Sequence, residues 1–246
     1  MFRLDGKKAL ITGSSQGIGA AIAGAYAQAG AQVFVHASRS LEKAETIGRE
    51  IRAAGGKATA VVADLLDPNC VPQLYEQTGD VDILVINASI QIRSSYDKIT
   101  NAEFQSQIRV NLQSPLELIQ QYSPQMKHNR WGRIITIGSL QQTKPVNTML
   151  VYAASKCGLM SYVITLAKEL APFGITVNNI SPGTILTPRN DKVLADPVYR
   201  DACLAAIPCG FFGEPKDCTG LALLLASDAG RFIVGNDICC DGGGHL

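Results

Sequence analysis

Tyr152 and Lys156 stand four residues apart in Tyr152-Ala153-Ala154-Ser155-Lys156, and Ser139 lies thirteen residues before the tyrosine. On a helix, positions i and i+4 share a face, with Cβ atoms about 5–6 Å apart. A lysine ammonium is thereby set beside a phenol. Free tyrosine has a pKa of about 10 and is a poor base at neutral pH. A cation about 4–6 Å away favours the phenolate and can lower that pKa by roughly 1–3 units. Such a pair can give and take a proton near neutrality, as general acid–base catalysis requires.

A second set of residues suits a phosphate ligand. Lys8 to Thr12 reads as a short apolar strand, and Gly13-Ser14-Ser15-Gln16-Gly17-Ile18-Gly19 follows at once. Ala20 to Ala29 is alanine-rich with helical spacing. Strand, glycine turn and helix are the context in which a glycine motif binds a dinucleotide. The glycines allow the backbone close to a pyrophosphate, and the helix N-terminus offers unpaired N–H groups and a positive dipole. The spacing is GxxxGxG, not the commoner GxGxxG.

Thr12-Gly13 with Gly17-Ile18-Gly19, then Asn111, Ser139, Tyr152 with Lys156, and Pro182-Gly183 occur in an order and spacing that resemble the short-chain dehydrogenase/reductase family. The resemblance runs over nearly the whole chain. It implies that Tyr152 exchanges a proton with an alcohol or carbonyl oxygen and that Ser139 hydrogen-bonds the same oxygen. It implies that Lys156 lowers the tyrosine pKa and holds the nicotinamide ribose, while Asn111 positions a water that relays protons to solvent. Gly13 to Gly19 would take the pyrophosphate. Asp64 and Leu65, at the end of the third strand, would meet the adenine, with Asn87 and Ala88 beside its ribose. Pro182, Gly183, Ile185 and Thr187 would contact the nicotinamide amide and the phosphates. Two departures stand out. Ile86-Asn87-Ala88-Ser89 replaces the family's Asn-Asn-Ala-Gly, which puts one local hydrogen bond of the fourth strand in doubt and adds a side chain near the ribose.

Cofactor preference is read at the end of strand two. An acid about 20 residues past the glycine loop binds a ribose 2′-hydroxyl, whereas an arginine there suits a 2′-phosphate. The chain has Ala37-Ser38-Arg39-Ser40 and no acid. Arg39 offers a planar charged fork, and Ser38 and Ser40 add hydroxyls. NADP(H) is therefore expected in preference to NAD(H), with NAD(H) use also possible.

The alternation of strands and helices without a linker predicts an α/β fold: a Rossmann-type doubly wound parallel sheet with helices on both faces and one domain over 1–246. Strands are expected at Val33–Ala37, Lys57–Ala63, Val81–Asn87, Trp131–Gly138, Gly174–Ser181 and Asp237–Cys240. Helices are expected at Leu41–Ala54, from Ala102 toward Met126 with a bend near Ser114-Pro115, at Met149–Pro172 and at Glu214–Ser227. Thr187 to Pro208 is long and mixed, and reads as a lid of about 186–208. Gln91, Gln141, Gln142 and Thr143 are expected in the pocket wall, with Ser139, Gln141 and Tyr152 touching substrate. Such a wall suits a small polar alcohol or ketone, for example a sugar or polyol. Arg130-Trp131-Gly132-Arg133-Ile134-Ile135 also resembles 3-oxoacyl-carrier-protein reductases, though Phe173 stands where those enzymes often place a basic residue. A non-catalytic dinucleotide-binding regulator on the same scaffold is the third reading, disfavoured by the intact acid–base set.

Composition narrows the partners. Of 246 residues, 22 are Lys or Arg and 21 are Asp or Glu, so a net charge of +1 gives no electrostatic reason to bind nucleic acid or an anionic membrane. No membrane-spanning run is expected, and Met1 to Lys7 leads into the first strand without an apolar signal segment. Seven cysteines, an odd number without a CxxC pair, point to a reducing cytoplasm and give no metal signature. A homotetramer is expected, paired through Ala102–Met126 and Met149–Pro172 and through the last helix and strand, with Cys157, Leu159, Met160 and Val163 as the apolar surplus.

Overall fold

The computed structural model describes residues 2–246. The chain opens with β1 (Lys8–Ile11), α1 (Gly17–Gln28), β2 (Gln32–Ala37), α2 (Leu41–Ala53) and β3 (Lys57–Val62). It continues through α3 (Cys70–Thr78), β4 (Ile83–Ile86), α4 (Asn101–Ile108), α5 (Ser114–Asn129) and β5 (Gly132–Ile137). The remainder is α6 (Leu150–Leu170), β6 (Ile175–Pro182), α7 (Pro188–Leu194), α8 (Pro197–Ala205), α9 (Thr219–Ala226) and β7 (Asp237–Cys240). Seven parallel strands lie in the order β3-β2-β1-β4-β5-β6-β7.

The sequence dictates this burial. β4 is Ile-Leu-Val-Ile and every residue of β5 is buried, as expected for strands covered on both faces. Successive side chains alternate between faces. Ile11 joins Tyr26, Val35 and Leu225 in a core under α1 and α9, whereas Leu10 joins Leu84, Tyr122 and Val163 in the core under α5 and α6. The sheet grows outward in one direction from β1 to β3 and in the other from β4 to β7. That reversal opens a crevice at the carboxyl ends of β1 and β4, where α/β sheets bind ligands.

Several elements differ from expectation. Cys70–Thr78 forms α3 with no helix expected there; Pro72 falls in its first turn, where no intrahelical N–H bond is needed. The bend expected at Ser114-Pro115 is a π-helical turn over Arg109–Gln113, where the Ser114 N–H reaches back to the Arg109 carbonyl. The helix expected from Glu214 begins as a 3-10 turn at Pro215–Cys218 before α9. The helical stretch Asn147–Phe173, which contains α6, is long and apolar enough to cross a membrane by length and composition, an 18-residue window in it having a mean hydropathy of 1.4, contrary to the reading that no run approaches that length. It packs against the sheet through Leu159, Val163, Ala167 and Leu170.

Candidate active site

A cleft of about 550 Å³ runs along the carboxyl ends of the strands, from Arg39 past Gly17 to Tyr152 and Arg189. At its centre the turn after β1 is clamped on three sides. The Asn87 amide donates to the Thr12 and Gly13 carbonyls at 2.9 and 3.0 Å. The Thr12 hydroxyl accepts from the Asn87 and Ala88 N–H groups at 3.0 and 3.1 Å. Gly13 has φ +64, and a Cβ there would sit 2.9 Å from the Ala88 Cα, so a side chain is excluded on both counts. Ile86 is buried in the core, and the Asn87 side chain adds its bonds to the backbone pairing of β4 with β1.

His36 supplies the third clamp and was not singled out from sequence. The Gly13 N–H donates to its Nδ1 at 2.9 Å, and Nε2 lies 2.9 Å from the Ala63 carbonyl. That arrangement requires the neutral tautomer with the proton on Nε2. Burial pushes the His36 pKa down, against the raising effects of the Ala63 carbonyl and the Asp64 charge.

Ser15, Gln16, Gly17 and Ile18 line the cleft. Three other expected cofactor residues do not. Ser14 is fully buried; its hydroxyl donates to the Ile11 carbonyl at 2.7 Å and accepts from the His36 N–H at 2.8 Å. Gly19 lies inside α1, where a Cβ would meet the Asn87 amide at 2.6 Å. Ser40 caps α2 by accepting from the Lys43 N–H at 3.3 Å. Ser38, Arg39, Asp64 and Leu65 do line one end of the cleft. There Arg39 Nε donates to Asp64 Oδ2 at 2.8 Å, so two residues expected to act separately form one unit. The guanidinium lowers the Asp64 pKa, although burial acts first and in the opposite direction.

At the other end, Tyr152 and Lys156 share a face of α6, with Lys156 Nζ 5.6 Å from the tyrosine ring centre. Lys156 is buried and donates to the Ile137 carbonyl at 2.7 Å. Its pKa is pushed down to about 7, first by burial and then by the charge of Arg189. Ser139 lies two residues past β5, at the start of a 3-10 turn, and lines the same cleft. Its Oγ accepts from the Gln141 N–H at 3.2 Å, which leaves the hydroxyl proton free to donate. The Asn111 side chain does not face open water. It exchanges two bonds of 2.8 Å with the Ile90 backbone and donates to Ser155 at 3.1 Å, so it fixes the π turn against the strand-four loop.

The substrate wall departs further from expectation. Gln91 and Gln141 line the cleft, but Gln142 and Thr143 do not. Gln142 turns back to bond Ser139 N–H and Asp237. Ser89 is tied to α7: Arg189 donates to its hydroxyl at 2.9 Å and to its carbonyl at 2.8 Å. Arg93 donates to the Tyr199 hydroxyl at 2.9 Å. Both arginines reach the cleft, and neither has a carboxylate partner among the described residues. Pro182, Gly183, Ile185 and Thr187 form the wall between β6 and α7.

The residues fit a dinucleotide. Glycine positions that a Cβ would fill sit at the turn, and a buried ammonium uses one hydrogen bond of its three donors beside the phenol. Comparison with known proteins agrees. The short chain dehydrogenase family matches residues 7–197. The chain is 37% identical over 245 residues to 3β-hydroxysteroid dehydrogenase 1 of Eggerthella lenta, covering 98% of this chain and 94% of that one. A 3-oxoacyl (acyl-carrier-protein) reductase from Agrobacterium tumefaciens C58, solved with NADP bound, superposes with a TM-score of 0.94 at 36% identity, over 98% of this chain and 95% of that one. A gluconate 5-dehydrogenase from Burkholderia cenocepacia J2315, solved with NADP and tartrate, superposes with a TM-score of 0.91 at 33% identity, over 98% and 96%. This chain therefore belongs to the short chain dehydrogenase family, as an NAD(P)-dependent oxidoreductase that interconverts alcohols and carbonyls.

Proposed function

We propose that this enzyme uses NADP(H) to interconvert a small polar hydroxy acid, such as a sugar acid, and its keto form. One observation carries the substrate class. Arg93 and Arg189 stand in the catalytic half of the cleft held by neutral partners, Tyr199 and Ser89. The one acid lining the cleft among the described residues, Asp64, lies at the far end against Arg39. A carboxylate is the group that two unneutralised guanidinium forks recognise best. The tartrate-bound gluconate 5-dehydrogenase is a relative consistent with this reading.

The bound cofactor supplies or accepts a hydride. Gly13, Ser15, Gln16 and Gly17 hold its phosphates, and Arg39 meets a 2′-phosphate with the Nη groups that Asp64 leaves free. Tyr152 holds the proton that the substrate oxygen gains or loses. The Ser139 hydroxyl donates to that oxygen and fixes its position. Lys156 binds the ribose and sets its amine beside the Tyr152 ring. Asn111 positions this machinery through Ile90. Residues 186–208, containing α7 and α8, act as a lid that Arg189 fastens to Ser89.

A homotetramer remains the proposed assembly, with a change in the residues that carry it. Leu159 and Val163 are buried in the protein's own core, whereas Leu150, Ile164 and Phe104 are exposed on α6 and α4. A monomeric mass by light scattering at micromolar concentration refutes the tetramer. The seven unpaired cysteines support a reducing, cytoplasmic setting. The carrier-protein alternative is also consistent with the relatives, among them 3-oxoacyl-carrier-protein reductases, although the Arg130–Arg133 block lies at the amino end of β5, where Arg133 is buried against Trp131 and Asp228.

The test is a substrate panel. NADP+ is offered with hydroxy acids, matched polyols and sugars, and NADPH with keto acids, ketones and an acetoacetyl thioester. Hydroxy acids should exceed matched uncharged alcohols at least tenfold in kcat/KM, and Arg93→Ala should remove that advantage. A polyol or the thioester as best substrate overturns the proposal.

A further inference from the structure

We propose that the C-terminal turn is a binding site for a borderline divalent cation of the zinc type, formed by Cys239, Asp241 and His245. The Cys239 Sγ, an Asp241 oxygen and a His245 ring nitrogen all lie within 4.8 Å of one another. The sequence gives no metal signature because the ligands come from two different kinds of placement. Cys239 and Asp241 are two apart at the end of β7, so their side chains share a face. His245 returns to that face only because Gly242 and Gly243, with φ of +63 and +88, reverse the chain.

The turn is held in place before any ion binds. The Gly243 N–H donates to Asp241 Oδ1 at 3.0 Å and the Leu246 N–H to the Gly243 carbonyl at 3.0 Å. Lys144 donates to the carbonyls of Gly244 and Leu246 and fastens the tail to the loop after β5. His245 Nδ1 consequently sits 3.0 and 3.1 Å from the two Asp241 oxygens. The Asp241 side chain is 3% exposed, and His245 is its one ion-pair partner among the described residues.

The donor set selects the ion. A thiolate, an imidazole and a carboxylate suit zinc, with bonds of about 2.3, 2.0–2.1 and 2.0–2.2 Å. Those lengths in a tetrahedron put the donors roughly 3.4–3.7 Å apart, so a small adjustment of the observed cluster supplies three of the four positions and leaves the fourth to water. Magnesium and calcium prefer all-oxygen shells, which this set does not offer. Binding displaces the Cys239 thiol proton, while His245 ligates through Nδ1 with its proton on Nε2, so affinity should fall as pH is lowered. Asp241 also packs on Gly183, where a Cβ would come within 2.8 Å of the Asp241 Cβ. The ion would thereby brace the Pro182-Gly183 wall of the cofactor cleft from behind. The site is independent of the substrate reading.

The full chain, stripped with EDTA, is titrated with Zn²⁺ against a chromogenic chelator and, separately, with Co²⁺. One Zn²⁺ per chain is expected, with affinity at least tenfold weaker in Cys239→Ser and His245→Gln and unchanged in Cys157→Ser, which alters an exposed thiol elsewhere. The Co²⁺ form should show a thiolate charge-transfer band that Cys239→Ser abolishes. Circular dichroism and alcohol oxidation by the metal-free variants confirm that they fold. Absence of stoichiometric binding, or Cys239→Ser and His245→Gln proteins that bind like wild type, overturns the proposal.

Discussion

Replacing Arg39 with alanine should separate the two nicotinamide cofactors. The Arg39 side chain is 77% exposed, and its Nε is held by Asp64 Oδ2 at 2.8 Å. Asp64 thus fixes the plane of the fork while both Nη groups stay free for a phosphate. A charge-assisted hydrogen bond is worth about 1.5–3 kcal/mol, and screening at an exposed site favours the lower end. At about 1.4 kcal/mol per factor of ten, Arg39→Ala should raise KM for NADPH roughly tenfold to thirtyfold. KM for NADH should move less than about twofold, because the ribose 2′-hydroxyl offers no charge to this group. Asp64→Asn should raise KM for NADPH by a smaller factor, since it frees the fork without removing it. The assay is initial-rate kinetics with both reduced cofactors on one carbonyl substrate. Wild-type protein that prefers NADH, or an Arg39→Ala variant that loses both cofactors equally, refutes the reasoning.

Tyr152→Phe keeps the ring and removes the proton, so kcat should fall by about 10²–10⁴ with NADPH binding intact by fluorescence titration; retention of a tenth of the wild-type rate sinks the assignment. Arg189→Ala removes a cation that depresses Lys156, whose pKa is pushed down to about 7, so the lysine pKa must rise and the limb of the kcat/KM profile that it governs should move to higher pH. Ser89→Gly, which frees the same arginine without removing its charge, should shift that limb less. His36 has a folded-state pKa below its unfolded value of about 6.5, so its stabilisation is complete above that pH and is lost as pH falls toward the lowered value. Urea midpoints measured between pH 8 and 5 should therefore drop less steeply in His36→Asn than in wild type, and identical slopes count against the clamp.

Much of the architecture was legible because it rests on local pattern. Ile-Leu-Val-Ile at β4 and the alanine-rich run after Gly13 report their burial through residue type alone. The spacing of Tyr152 and Lys156 announces a shared helix face. Asp237–Cys240 appears as expected, bounded by turn residues on both sides. α3 escaped notice because Pro72 reads as a breaker, whereas a first-turn proline costs the helix nothing. The orientation of polar side chains was also beyond local pattern. Ser14, Ser40 and Gln142 have the chemistry to face a ligand, but each satisfies a backbone group or a neighbouring side chain instead.

The sequence by itself determined the parallel α/β fold, the glycine turn at the first strand and the Tyr152–Lys156 pair. These depend on contacts within a few residues, whose geometry helix and strand periods fix in advance. Tertiary structure alone decided that His36 holds Gly13, that Arg39 leans on Asp64 and that Arg189 crosses one hundred residues to reach Ser89. It also decided that Arg93 and Arg189 share the half of the cleft away from Asp64, and that His245 folds back on Asp241. Each joins positions distant in the chain or set by a reversing turn, and no periodicity records which donor will meet which acceptor. That pairing is settled only when packing closes the sheet edge and buried polar groups must find partners.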